Sequence, residues 1–248
     1  MELNGLERRV KAVLFDIDDT LVDLRSAMST TLQHVSGPHL PHLQDQEWEE
    51  FKHLFWADPQ GYYDMYLAGE LTFVEQRVLR ARHVHAVFGA AELDDEGFGR
   101  WNDEYQRLLP RHWAAFDDVA ELLDALDAAR LPYGAVSNNV EDYQRVKLDG
   151  CGLQRISVLV GTDTVGVAKP DPGIFHEGAR RLGTDPSHTL YVGDNRLVDA
   201  EGAAAAGLLS VWLNRSGVET GRFAGPEITS LSELTVLFSG SGAGPEGA

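Results

Sequence analysis

Apolar residues gather in short runs at about 10–15, 132–136, 156–160, 189–193 and 208–212. Runs of this length, closed by turn residues, are what strands buried on both faces require. Between most of them, residues 117–130, 141–149, 173–182 and 197–206 carry apolar positions at helical spacing. In the first of these, Val119, Leu122, Leu123 and Leu126 share one face. Asp117 or Asp118 stands at its N-cap position, and Pro132 follows its end. Alternating strand and helix predicts an α/β fold with a parallel sheet covered on both faces.

One stretch interrupts the alternation. Residues 22–112 show only helical patterns, at 44–56, 72–88 and 95–109. They predict a helical insert, hinged near residues 21–23 and 109–116, within a core formed by residues 1–21 and 113–238. Residues 239–248 are rich in glycine and are expected to form a disordered tail.

The first apolar run leads straight into Asp16-Ile17-Asp18-Asp19-Thr20. In an extended chain, residues two apart point the same way, so Asp16 and Asp18 are expected to converge while Asp19 is not. Two close carboxylates repel unless a cation lies between them or one holds a proton. Asp pairs also make turns and cap helices, so this string alone does not separate chemistry from architecture. Later segments do. The run 133–136 ends in Ser137-Asn138-Asn139, and Lys169-Pro170 opens a stretch that leads into an apolar helix. Leu190-Tyr191-Val192 runs into Gly193-Asp194, with Asp199 five residues on. These signals fall at the C-terminal ends of the expected strands or just beyond, the edge where open α/β sheets bind ligands.

This order resembles the haloacid dehalogenase-like superfamily, whose motifs are an Asp-x-Asp-x-Thr loop, a Ser or Thr after a strand, a Lys, and a Gly-Asp-x-x-x-x-Asp loop. The resemblance covers residues 10–213. It implies a Rossmann-like three-layer core with a parallel sheet, and makes the insert at 22–112 the α-helical C1 cap that closes over small, soluble substrates. It also implies roles. Asp16 would be the nucleophile, forming an aspartyl-phosphate that water hydrolyses. Asp18 would protonate the leaving alcohol and later take a proton from water. Asp16, Asp194 and the backbone carbonyl of Asp18 would hold Mg2+, which prefers few carboxylates plus water and substrate phosphate. Ser137, Asn138 and Lys169 would hold the phosphate, with Lys169 also drawing Asp16 toward it. Asp199 would orient Lys169 or a magnesium-bound water, and Thr20 would stand behind the site.

Composition narrows the partners. A net charge of −18 without a dense basic run argues against nucleic acid. An anionic substrate is still compatible with it, because a bound cation and a few local positive groups outweigh distant, screened charge. Four lysines (Lys11, Lys52, Lys147 and Lys169) stand against seventeen arginines, a bias read as compositional. The single Cys151 excludes an internal disulfide and fits a reducing compartment. The longest small-and-apolar stretch, 202–213, is too short to span a bilayer, and the N-terminus does not resemble a secretory leader. A cytoplasmic protein without a membrane partner is expected; the oligomeric state is not legible.

Other candidates weigh less. His39 and His42 lie between prolines, while His83 and His85 sit two apart on an expected helix and so face different ways. Trp56, Tyr62, Tyr63 and Tyr66 would suit stacking on a base or sugar, but packing within the insert explains them more simply.

The reading is therefore a magnesium-dependent phosphatase for a small phosphomonoester, such as a sugar phosphate, a nucleotide or a phosphoglycolate-like compound. A phosphomutase of the same superfamily keeps the same motifs and stays open. A non-catalytic phosphate-binding protein also stays open, although it would have no reason to retain Asp16, Asp18, Lys169 and Asp194 together. Dehalogenation is disfavoured, since members that displace halide need no acid at the position of Asp18 and generally lack it.

Overall fold

In a computed structural model that describes residues 3, 5–6, 8–91, 93–217 and 223–239, six strands form one sheet. They are β1 (Ala12–Phe15), β2 (Tyr133–Val136), β3 (Val158–Val160), β4 (Thr189–Gly193), β5 (Leu209–Leu213) and β6 (Glu227–Ile228). All pair in parallel in the order β3-β2-β1-β4-β5-β6, confirming the α/β fold. Central β1 is buried along its whole length, which is why its sequence is apolar at every position.

Two units emerge, Met1–Asp23 with Ala114–Ala248, and Leu24–Trp113. The second is helical: α1 (Leu24–Ser36), α2 (Asp45–Ala57), α3 (Tyr62–Leu67), α4 (Phe73–Val87) and α5 (Asp95–Leu108). With the sheet go α6 (Val119–Ala128), α7 (Glu141–Gly150), α8 (Thr162–Val165), α9 (Pro172–Arg181), α10 (Gly202–Ala205) and α11 (Ser232–Ser239). Residues 240–248 of the expected tail lie outside the described residues, and Ser239 closes α11.

Helix α9 packs across β1, β2 and β3. Its approach is set by Gly178, where a Cβ would come within 2.7 Å of Leu14 Cδ1. Around this contact Leu14, Val136, Val160, Phe175 and Tyr191 form a buried core, with the Phe175 and Tyr191 rings edge-on at 4.9 Å. The strands run to one side of β1 as β2 and β3, then to the other as β4 and β5. That reversal opens a crevice at the carboxyl ends of β1 and β4.

Several elements escaped the apolar pattern for physical reasons. Helix α1 buries Thr31 and Ser36 beside Ala27, Leu32 and Val35, so its inner face does not read as an apolar stripe. Thr31 satisfies its hydroxyl locally, donating to the Ala27 carbonyl at 2.7 Å. Strand β6 has two residues and α8 has four, too short to show a period. The expected helix at 197–206 is two pieces, a π-helical turn over Arg196–Glu201 and then α10.

Within the helical unit, α4 starts at a capping box: Thr72 Oγ1 accepts from Glu75 N at 3.2 Å, and Glu75 Oε2 accepts from Thr72 N at 2.7 Å. The aromatic set divides. Tyr66 packs on Tyr63 and Phe73 at 5.8 and 5.4 Å between centroids, while Arg25 lies 5.2 Å over the Trp56 ring. Two of the four histidines weighed for metal are engaged elsewhere: His42 Nε2 lies 3.0 Å from the Phe88 carbonyl, and His85 Nε2 lies 3.0 Å from Ser36 Oγ. Among the described residues no helix is long and apolar enough to cross a membrane.

His85 is buried among Phe51, Phe98 and Trp101. Burial, then repulsion from His39, pushes its pKa from 6.5 down to about 4. The folded helical unit thus disfavours the imidazolium. Its stability is complete above pH 6.5 and falls as the pH drops toward 4, a deficit approaching about 3 kcal/mol at still lower pH. Tryptophan fluorescence reports on this unit, which holds Trp48, Trp56, Trp101 and Trp113 of the chain's five tryptophans. Thermal midpoints should fall between pH 6.5 and 4, and His85→Phe should flatten that fall; equal slopes would contradict the assignment.

Candidate active site

The carboxyl edge of the sheet fixes the motif residues through backbone ladders. Asp16 N donates to the Val192 carbonyl at 2.9 Å, and Ser137 N to the Val160 carbonyl at 3.0 Å. After Asp16 the chain turns: Leu21 N and Val22 N both donate to the Ile17 carbonyl at 2.9 Å. Asp19 adopts a φ of 60°, which Asp tolerates better than most residues. This turn ends the two-residue alternation. Asp16 and Asp18 are each bound by a different cation, while the Asp18 charge still acts on Asp16 and raises it.

Asp16 is held by Lys169, whose Nζ lies 2.6 Å from Asp16 Oδ1 and 2.7 Å from Asp199 Oδ1. The same ammonium donates to Tyr191 OH at 3.0 Å, and that hydroxyl lies 3.2 Å from Asp199 Oδ1. All four groups are buried. Asn138 holds the backbone here, its Nδ2 donating to the Lys169 carbonyl at 2.9 Å and its Oδ1 accepting from Lys169 N at 2.6 Å. The Asn138 amide thus fixes the Lys169 loop rather than standing free for a ligand.

The loop after β4 is equally constrained. A Cβ on Gly193 would lie 2.5 Å from Asp199 Cβ, so only glycine lets Asp199 fold back to Lys169. Asn195 Oδ1 accepts from Leu197 N and Val198 N at 3.1 and 3.0 Å, starting the π-helical turn. Asn195 N donates to Asp199 Oδ2 at 3.0 Å. Trp212 Nε1 holds the Asp194 carbonyl at 2.8 Å. Thr20 is buried, and its carbonyl accepts from Arg215 at 2.8 Å while its own hydroxyl has no partner among the described residues.

Asp16, Asp194 and Asp199 each bring an oxygen within 4.8 Å of the others. Asp199 is committed to Lys169, Tyr191 and Asn195. The Asp194 carboxylate accepts no hydrogen bond from the described residues. Burial pushes Asp194 from 3.8 up to about 9, with Asp16, Asp199 and Asp19 adding repulsion. Burial likewise raises Asp16 to about 7 against the pull of Lys169. For Lys169 burial works against the charge, but Asp16 and Asp199 outweigh it and hold the ammonium well above its usual range. Carboxylates here exceed what Lys169 neutralises, and the open donors are oxygens only, which suits a hard divalent cation.

A family model for haloacid dehalogenase-like hydrolases matches residues 10–207. The chain belongs to that family. An N-acetylmuramic acid 6-phosphate phosphatase of Pseudomonas aeruginosa is 30% identical over 80% of this chain and 79% of its own. An (S)-2-haloacid dehalogenase of Pseudomonas fluorescens is 26% identical over 84% of this chain and 86% of its own. In fold, the chain is similar to the HAD-hydrolase YfnB of Bacillus subtilis, solved bound to magnesium, with a TM-score of 0.73, 24% identity, and coverage of 93% and 99% of the two chains.

In this haloacid dehalogenase-like hydrolase, two residues that the motifs do not include also reach the site. Lys147 Nζ lies 2.5 Å from Asp18 Oδ1, and Gln144 Nε2 donates to Asp18 Oδ2 at 2.9 Å and to Ser137 Oγ at 2.6 Å. Both come from α7 and both are buried. The scarcity of lysine was the available signal, since two of the four lysines stand buried at this site. Tyr191 was read as a strand residue only.

The raised carboxyl pKa values predict a pH-dependent cation effect. Without a cation, the fold favours protonated Asp16 and Asp194, so their contribution declines as the pH rises from about 4 through 7 and 9. A divalent cation held by these carboxylates would remove that penalty. Magnesium should therefore raise the thermal midpoint more at pH 8.5 than at pH 6, and a pH-independent rise would contradict the coupling.

Proposed function

We propose that this hydrolase is a magnesium-dependent phosphatase that cleaves a small phosphomonoester through phosphorylated Asp16. The observation that carries the reading is the division of labour between two carboxylates. Asp16 lies against Lys169, while Asp18 is held by Lys147 and Gln144. Similarity to the N-acetylmuramic acid 6-phosphate phosphatase supports it.

Asp16 attacks phosphorus, and the bond from phosphorus to the leaving oxygen breaks with its electron pair on that oxygen. Asp18 gives its proton to the same oxygen, releasing the alcohol. Water then attacks the phosphorus of the aspartyl-phosphate and passes a proton back to Asp18. The bond between Asp16 and phosphorus breaks, freeing inorganic phosphate and restoring both carboxyl groups. Lys169 keeps Asp16 in place and offsets negative charge, Asp199 and Tyr191 keep Lys169 in place, and Ser137 donates to a phosphoryl oxygen. Held by Asp16, Asp194 and the Asp18 carbonyl, magnesium would neutralise charge on the phosphoryl oxygens. A halide leaves as a stable anion without a proton, so dehalogenation would give Asp18 nothing to do.

With p-nitrophenyl phosphate and magnesium, the wild type should release inorganic phosphate, and Asp16→Asn should lose roughly a thousandfold or more of the rate. Retained turnover in that variant would overturn the mechanism. Asp18→Asn should slow an alkyl phosphate by about a hundredfold or more, and p-nitrophenyl phosphate much less, because nitrophenolate needs little protonation. Equal slowing of the two would remove Asp18 from the proton-donor role.

A further inference from the structure

Helix α7 turns Gln144, Lys147 and Leu148 inward, and the first two are polar. Gln144 is 0% exposed and Lys147 1%. A buried ammonium is costly unless it is paired; here it meets Asp18 Oδ1 at 2.5 Å, with the Tyr143 ring 5.2 Å away. The amide of Gln144 serves two groups from one nitrogen. Ionised against Lys147, as here, Asp18 can only accept, so the group facing its Oδ2 is the NH2, and its other hydrogen points to Ser137 Oγ. Ser137 thereby accepts, which leaves its own hydroxyl hydrogen free for donation to a ligand oxygen. In this arrangement Gln144 Oε1 is buried without a partner among the described residues. An orphaned acceptor of that kind carries an uncompensated desolvation penalty. Packing alone does not call for this arrangement, since an apolar side chain of similar volume would leave nothing unsatisfied.

We propose that Gln144 and Lys147 are positioning residues that clamp Asp18 by both carboxylate oxygens and, through Gln144, align the Ser137 hydroxyl. The proton donor and the phosphate-holding hydroxyl are thus set as one unit from one helix face. The inference rests on the phosphatase reading above and deepens it. Neither residue exchanges a proton with the substrate: each Asp18 oxygen keeps a second lone pair, and the proton that the leaving oxygen takes is carried there while the clamp bonds hold the carboxyl group in place.

The test compares Lys147→Met with wild type on an alkyl phosphate and on p-nitrophenyl phosphate, with magnesium present. The alkyl phosphate should lose about tenfold or more in kcat relative to p-nitrophenyl phosphate. KM should stay near wild type for both, since the hydrogen bond to Ser137 comes from Gln144. In an Asp18→Asn background the same substitution should add almost nothing, because the group it positions is gone. Lys147→Arg, which keeps the cation and its donors, should recover part of the loss. Gln144→Met should show the same leaving-group bias and, in addition, weaken inhibition by inorganic phosphate several-fold. It leaves the buried ion pair intact and carries the comparison if Lys147→Met does not fold. Leaving-group-blind slowing that persists undiminished in Asp18→Asn would overturn the clamp while leaving the phosphatase intact. Turnover that survives Asp16→Asn would overturn the phosphatase reading, and the clamp with it.

Discussion

The ammonium of Lys169, buried between Asp16 and Asp199, is the interaction on which the rest of the site depends. Placing that charge inside the protein is tolerable only because two carboxylates and the Tyr191 hydroxyl meet it within 3.0 Å. Each of those groups comes from a different part of the sheet edge: Asp16 follows β1, Tyr191 lies in β4, and Asp199 lies in the π-helical turn after it. Asn138, following β2, holds the Lys169 backbone from the other side. Removing the cation would leave two buried carboxylates facing each other, so Lys169 organises the site before any substrate arrives.

A second charge pair joins Lys147 to Asp18, so the two motif carboxylates stand in different surroundings. One is presented beside a cation and an acidic cluster, the other is tied to a helix by donors on both oxygens. A chain of net charge −18 can handle an anionic substrate in this way. What matters electrostatically is the local inventory at the carboxyl edge, where two buried lysines each meet a motif carboxylate and Asp16, Asp194 and Asp199 bring oxygens within 4.8 Å of one another.

Much of the fold was legible because buried parallel strands leave a strong mark. The runs near residues 12, 133, 158, 189 and 209 are continuous apolar segments, and each became a strand. Helix α1 was not legible, since Thr31 and Ser36 sit on its inner face with their hydroxyls satisfied. The site was legible where residues lie in loops after strands: Asp16, Ser137, Lys169, Asp194 and Asp199 all come to the sheet edge. It was not legible for Gln144 and Lys147, which occupy a helix whose pattern reads as amphipathic and solvent-facing. Their partners lie more than a hundred residues away, with sequence separations of 126 and 129 to Asp18. Strand geometry ends at Phe15, so the two-residue alternation did not tell which cation each motif carboxylate meets: Lys169 for Asp16 and Lys147 for Asp18.

The central claim is that Asp16 carries the phosphoryl group, and mass analysis of the acid-quenched enzyme tests it most directly. Wild-type protein turning over a phosphomonoester with magnesium, quenched in acid and digested, should yield the peptide containing Asp16 with one added phosphoryl group. The adduct should be absent from Asp16→Asn. Phosphate found on another residue, or turnover without any trapped adduct under conditions in which hydrolysis of the intermediate limits the rate, would contradict the account.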